Sequence, residues 1–220
     1  MRGAFMANGA SITPFFTIWT EPRATIRRIV ETEPTRYVIP LAAIGPVIGA
    51  LGFEWVKAKE LGNNGNLSVL WAPWAFVAVK AALGVLNLFI GGVVLKWTGS
   101  LLGGVASAVE LRAAIAWPQV ILIGGGIISL LVWVVLGMPV PHFTRGTLPQ
   151  IDSAFHQFAI VGGMIGGAFH FWCFVVGLKC IGEVHRFSAW RALAATLIPG
   201  LIALAVWVFV DSAFGPLIHH

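Results

Sequence analysis

The chain has 220 residues, of which 58% are hydrophobic and 10% are charged, and its formal net charge is +5. Ordinary soluble domains carry about 25% charged residues, so this composition excludes a typical soluble protein and indicates that most of the chain contacts lipid. The Lys and Arg residues lie at the ends of apolar runs and not in a stripe with aromatic side chains, which argues against nucleic-acid binding and favours anionic lipid.

The N-terminal part, residues 1–36, is predicted to be a short cytoplasmic segment with an amphipathic helix. Within residues 22–33, Ile26, Ile29 and Val30 share one face while the arginines point elsewhere, which is typical of a helix that lies among lipid headgroups. Residues 1–11 contain neither a continuous apolar run nor a cleavage site of small residues, so we expect no removable signal peptide.

Five apolar runs follow, each long enough to cross the hydrocarbon as a helix that satisfies its own backbone polar groups. The predicted spans are residues 37–53, 72–95, 118–138, 155–178 and 192–210. We therefore predict an all-α integral membrane protein: a transmembrane domain of five helices at residues 37–210, preceded by a short N-terminal interfacial helix and followed by a short external tail at 211–220. The connection at residues 99–117 is predicted to be a half-buried helix against the bundle.

Lys and Arg predict the direction of these spans. The connections on the N-terminal side contain ten of them and those on the other side three. Because positive residues are retained on the cytoplasmic side, we expect a cytoplasmic N-terminus and a periplasmic C-terminus. The abundance of Ala, Gly and Trp with little Lys favours a bacterial inner membrane.

Glycines in the fourth span form two overlapping pairs of small residues four positions apart. Such pairs let another helix backbone approach closely, either within the chain or between two copies. The residues predicted to pack in this way are Gly162, Gly163, Gly166 and Gly167.

Placing an ionisable group within an apolar run costs free energy, so such groups are candidates for function. Lys80 either forms an ion pair near the outer face or lines a path for an anionic group. His156 and His170 are 14 residues apart, about 21 Å along a helix, so they cannot share a metal ion. These two histidines either belong to the protein core or bind haem that is shared by two copies of the chain. The intramembrane polar candidates are Lys80, Asp152, His156, His170 and Asp211.

No set of nucleophile, base and oxyanion donors can be assembled from the sequence, and neither a phosphate-binding loop nor a metal-ligand cluster is present. We therefore expect no catalytic residues, no metal, no cofactor and no enzymatic activity.

Three segments carry a family resemblance. They are WTEP at residues 19–22, WTGSLLGG at 97–104 followed by ELRAAIAWP at 110–118, and GLKCIGEVHRFSAWRA at 177–192. Together they resemble the Yip family of Ypt/Rab-interacting membrane proteins, in particular its short prokaryotic branch, over about residues 15–210. The resemblance implies five spans and a cytoplasmic N-terminus; eukaryotic members act in vesicle traffic, bind Rab-type GTPases and pair with one another.

The leading hypothesis is a non-enzymatic protein that organises or supports a membrane complex or a lipid patch through partner contacts. Its partners are expected to be membrane lipids and other membrane proteins or a second copy, without nucleic acid. The expected contact surface on the cytoplasmic face consists of Glu110, Arg112, Glu183, His185 and Arg186. Helix capping and mutual ion pairing are the alternative roles of these charges.

The alternative function is a small transporter or channel. Its polar path would include Lys80, Asp152, His156 and Asp211. A polar cavity that reaches the middle of the membrane would favour this alternative, and a bundle packed shut around Lys80 would count against it.

Overall fold

The computed structural model describes residues 13–50, 73–135 and 153–218. Every regular element in these ranges is a helix, so the described part of the chain is all-α, as predicted. The helices are α1 (Thr13–Thr20), α2 (Pro22–Thr32), α3 (Val38–Ala50), α4 (Pro73–Leu101), α5 (Ala108–Ala116), α6 (Gln119–Val135), α7 (Ser153–Val184) and α8 (Ala189–Ile218).

Three helical stretches are long and apolar enough to cross a membrane: Val77–Leu101, Ala108–Val132 and Gly162–Val184. Two further apolar stretches, Val38–Gly49 and Ala189–Ile202, are shorter. Each of the five overlaps one predicted span, although Ala108–Val132 begins within the predicted connection at residues 99–117, and five complete crossings stay a prediction. The outer surface of α4 is apolar, as a lipid-facing helix requires; its exposed side chains include Leu83, Leu86, Ile90 and Val93.

The five apolar helices form a closed ring in which α3 packs against α4 and α6, α6 against α7, α7 against α8, and α8 against α4. Small residues allow the close contacts. A Cβ atom at Gly84 of α4 would collide with the carbonyl of Ala42 in α3, and one at Gly126 of α6 would lie 2.7 Å from the carbonyl oxygen of Ile48. The ring therefore depends on glycine at these two crossings.

One end of the ring is covered by α1, α2 and α5, and we call it the capped end. There α2 packs against α5 and α7, and α1 packs against α6. Fully buried side chains concentrate at this end, among them Ile18, Ile26 and Leu111. The connection at residues 99–117 contains α5, whose buried face includes Leu111, as predicted.

The predicted amphipathic segment is α2, which begins with Pro22 in its first turn. Its apolar face, with Ile26 and Ile29 buried, packs on this chain, while Arg27 and Arg28 are exposed. The polar face of α2 is thus the face left for lipid headgroups or partners.

Candidate functional site

An ion-pair cluster joins α2 to the last turn of α7. The Nε of Arg27 donates a hydrogen bond of 2.7 Å to Oε1 of Glu183, and its Nη2 contacts the same oxygen. The Nη1 of Arg23 lies 3.5 Å from Oε2 of Glu183. Since Arg23 and Arg27 are four residues apart, they share one face of α2. One carboxylate, only 14% exposed, thereby holds two arginines beside the end of α7.

Helix α7 ends in a Schellman motif, the pair of backbone hydrogen bonds that commonly closes a helix. The N–H of Phe187 donates to the carbonyl of Gly182 (2.9 Å), and the N–H of Arg186 donates to that of Glu183 (3.0 Å). The motif requires a left-handed residue, usually glycine, and here that residue is Arg186, with φ of 60°. An arginine therefore occupies a backbone position that disfavours any side chain.

Helix α4 ends in the same motif. The N–H of Gly104 donates to the carbonyl of Gly99 (2.8 Å), the N–H of Gly103 donates to that of Ser100 (3.1 Å), and Gly103 is the left-handed residue, with φ of 82°. The glycine-rich sequence at residues 97–104 thus forms a helix terminus. The two termini meet at His185, because a Cβ atom at Gly104 would lie 2.8 Å from Cγ of that ring.

His185 is the buried centre of this junction, with 1% of its surface exposed. The N–H of Ala106 donates to its Nδ1 at 3.4 Å, and the ring stacks on Phe187 with centroids 4.8 Å apart. That bond assigns the proton of the neutral ring to Nε2. Burial lowers the pKa of His185, against a smaller opposing effect of the Leu95 carbonyl and the Glu110 carboxylate.

Glu110 and Arg112 take local structural roles in and around α5. The N–H of Ser107 donates to Oε2 of Glu110 (2.7 Å), and the N–H of Glu110 donates to Oγ of Ser107 (3.3 Å), which is a capping box at the start of α5. The guanidinium of Arg112 lies 4.6 Å from the ring centroid of Phe89 on α4.

An open groove of about 650 Å³ lies beside the ion-pair cluster. It brings together three guanidinium groups, one carboxylate and the hydroxyl that begins α8. The residues that line this groove, which we call the arginine groove, are Arg23, Arg27, Gly182, Glu183, Arg186, Phe187 and Ser188. Of the five residues predicted to form a contact surface, Glu183 and Arg186 meet here and His185 supports the turn from inside; their partner-binding role stays a prediction.

A second cavity, of about 530 Å³, lies among α3, α4, α6 and α7. Lys80 and His170, two of the predicted intramembrane polar residues, both line it, together with Gln119 and Ser129 of α6. Gln119 and Ser129 are ten residues apart, so the cavity extends about 15 Å along the ring axis. The four predicted packing glycines, Gly162, Gly163, Gly166 and Gly167, line it as well.

The cavity is lined by hydrogen-bonding atoms that are available to a ligand. Oε1 of Gln119 is buried without a hydrogen-bond partner among the described residues. Nδ1 of His170 donates to the carbonyl of Gly166 at 2.8 Å, which leaves its Nε2 as an acceptor. A Cβ atom at Gly166 or Gly167 would meet no described atom within 4 Å, so their packing against a helix of a second copy stays a prediction.

Three other predicted polar residues remain predictions. Asp152 lies outside the described residues, and His156 and Asp211 belong to parts of α7 and α8 whose side chains are not described. In the described ranges no group of three His, Cys, Asp or Glu residues is placed to hold a metal ion.

Sequence reasoning missed several residues of both sites. It did not assign Arg23, Arg27 and Ser188 to the groove, or Gln119 and Ser129 to the cavity. The spacing of Arg23 and Arg27 was a usable signal, because residues four apart on a helix act together. No signal in the sequence indicated that α2 would cross the end of α7.

Comparison with known proteins places this architecture in a family. The family model described as the Yip1 domain matches residues 16–210, which include every described span and both sites. No curated protein and no solved structure matches the chain. Because the match covers nearly the whole chain, the protein belongs to the Yip1 domain family of membrane proteins, as its sequence motifs predicted.

Proposed function

We propose that the protein is non-enzymatic and organises a membrane complex or a lipid patch through partner contacts at its capped end. The arginine groove is the observation that supports this function. It presents Arg186 from a backbone position that favours glycine, and it is anchored by the ion pairs of Glu183. A residue held in a backbone conformation that costs free energy is a candidate for function.

The proposal includes an orientation in which the capped end faces the bacterial cytoplasm. Nine of the ten Lys and Arg residues counted on the N-terminal side lie in the described ranges, at or near the capped end. The positive-inside rule then assigns this end to the cytoplasm and the C-terminus to the periplasm. Labelling of a Ser188→Cys variant by a membrane-impermeant thiol reagent tests it: reaction in inverted vesicles but not in intact spheroplasts supports the orientation, and the reverse pattern refutes it.

Isolation of the protein from native membrane with its surroundings intact tests the partner function. Arg186→Glu reverses one side-chain charge in the groove, and Arg28→Glu makes the same change on α2 at an exposed residue that does not line the groove. We expect a defined set of membrane proteins to accompany the wild type and the Arg28 variant and to be lost from the Arg186 variant. A chain that purifies alone, or the same set with all three proteins, contradicts the proposal.

The intramembrane cavity favours a second candidate function, that of a small transporter or channel. A path for an anionic species would use Lys80 and His170, with the buried Oε1 of Gln119 as a further polar group. Intramembrane ionisable residues that line a cavity are candidates for such a path. The tight crossings of α3 with α4 and α6 close parts of the ring and favour the first candidate.

Filling the cavity separates the two functions. Gly166→Leu adds a side chain where no described atom lies within 4 Å of the new Cβ, and Gly177→Leu is a matched control on α7 that is equally unobstructed but does not line the cavity. In proteoliposomes, a transporter would show anion flux that Gly166→Leu blocks and Gly177→Leu preserves. Absence of flux in the wild type with retained partners removes this candidate.

A further inference from the structure

We propose that the arginine groove binds the phosphate of an anionic phospholipid. The inference deepens the proposed function, on which it rests for the role of the capped end. The groove contains three arginines against one carboxylate, and that carboxylate is already paired with Arg23 and Arg27. Arg186 makes no ion pair or side-chain hydrogen bond among the described residues, so the groove has an excess of positive charge with a guanidinium available for a ligand. Guanidinium groups bind phosphate oxygens by paired, charge-assisted hydrogen bonds.

The start of α8 adds backbone donors to this charge. Ser188 lines the groove and caps the helix, because its Oγ accepts a hydrogen bond of 3.4 Å from the N–H of Arg191. The first N–H groups of a helix have no partner within it, and its N-terminus carries partial positive charge. A phosphate in the groove would therefore meet Arg186 and the positive end of α8 together.

The surface next to the groove favours a lipid over a free phosphate ion. Trp190, two residues after Ser188, is 80% exposed, and tryptophan is enriched where membrane and water meet. Leu197 and Leu201 are also exposed. They follow Trp190 by seven and eleven residues, which is about two and about three helical turns, so all three lie on the same face of α8. An acyl chain would lie along this apolar strip while its phosphate occupies the groove.

Lipid retention measured by native mass spectrometry tests the proposal. The purified protein is offered phosphatidylglycerol and phosphatidylcholine in equal amounts, and the lipid that remains bound is quantified. We expect preferential retention of phosphatidylglycerol by the wild type. We expect about a fivefold loss of it in Arg186→Gln, the effect of one basic residue on binding to an anionic membrane surface. Arg28→Gln is the matched control and should retain phosphatidylglycerol as the wild type does.

Two further measurements identify the source of the phosphate. Trp190→Ala leaves the groove charges in place and should weaken retention of the lipid, and an excess of inorganic phosphate should displace little of it. Equal retention of the two lipids, or equal losses in the Arg186 and Arg28 variants, overturns the proposal. Displacement by inorganic phosphate with no effect of Trp190→Ala overturns it in favour of a free anion. Equal retention of the two lipids, together with loss of the partner set in Arg186→Glu, would refute this inference alone and leave the proposed function standing.

Discussion

Arg186 at the end of α7 and Gly103 at the end of α4 are each the left-handed residue of a Schellman motif. Exchanging glycine and a larger residue at these two positions should therefore change the stability in opposite directions. Arg186→Gly should stabilise the protein because it removes a side chain from a left-handed residue with φ of 60°. Gly103→Ala should destabilise it because it adds a side chain where φ is 82°. A Cβ atom at Gly103 would contact nothing within 4 Å, so the loss there reports the backbone alone.

The magnitudes follow from the backbone preference. A left-handed conformation costs an L-residue about 1–2 kcal/mol relative to glycine. Glycine also makes the unfolded chain more flexible, which opposes this effect by about 0.4–1 kcal/mol at either site. The expected net change in unfolding free energy is therefore about 0.5–1 kcal/mol, a loss in Gly103→Ala and a gain in Arg186→Gly. For a chain of this length about 1 kcal/mol corresponds to about 2–4 °C in Tm.

Thermal unfolding in one detergent at a fixed scan rate, followed by tryptophan fluorescence, measures both variants. We expect the Tm to rise in Arg186→Gly and to fall in Gly103→Ala, while Arg186→Gly also loses phosphatidylglycerol retention. A more stable protein that has lost its ligand would show that Arg186 is kept at a cost in stability. If Arg186→Gly lowers the Tm as much as Gly103→Ala does, the side chain stabilises the turn and the reasoning is wrong.

Three further predictions concern the end of α7 and its contacts with α4 and α2. Gly104→Ala would put its Cβ 2.8 Å from Cγ of His185 and should cost about 1–3 kcal/mol of unfolding free energy, measured as a lower Tm. Burial lowers the pKa of His185 from 6.5, so the unfolded chain takes up a proton at a higher pH than the folded chain, and the unfolding free energy should fall as the pH drops below about 6.5. His185→Asn keeps a hydrogen-bond acceptor but does not titrate in this range. Its Tm should therefore change less than that of the wild type between neutral and mildly acidic pH. Glu183→Gln should cost only about 0.5–1 kcal/mol, because Arg27 is 62% exposed, and the difference in Tm from the wild type should shrink at high salt.

The helices themselves could be predicted because each depends on a local pattern. Continuous apolar runs predicted α4, α6 and α7, and the spacing of Ile26 and Ile29 predicted an apolar face of α2. That face was expected among lipid headgroups, but the structure buries it against this chain. The sequence at residues 97–104 indicated the family, and its structural role is to end α4 beside His185.

The two sites could not be predicted in the same way, because their residues are far apart in the chain. Arg27 and Glu183 are separated by 156 positions, and only the crossing of α2 over α7 brings them together. Glu110 illustrates the reverse case: it was a candidate for partner contact, and the structure gives it a local role, a capping box with Ser107. A charge on its own does not indicate whether its partner is a backbone N–H, another side chain or a second molecule.

The sequence by itself determined that this protein belongs in a membrane, that it is helical and that it is a member of the Yip1 domain family, since composition, apolar runs and short motifs are properties of neighbouring residues. The tertiary structure decided that Lys80 and His170 line one cavity and that Arg23, Arg27 and Arg186 line one groove. These groupings depend on which faces of which helices meet. That choice is made by side-chain packing and by the glycines at the crossings, which no local pattern specifies.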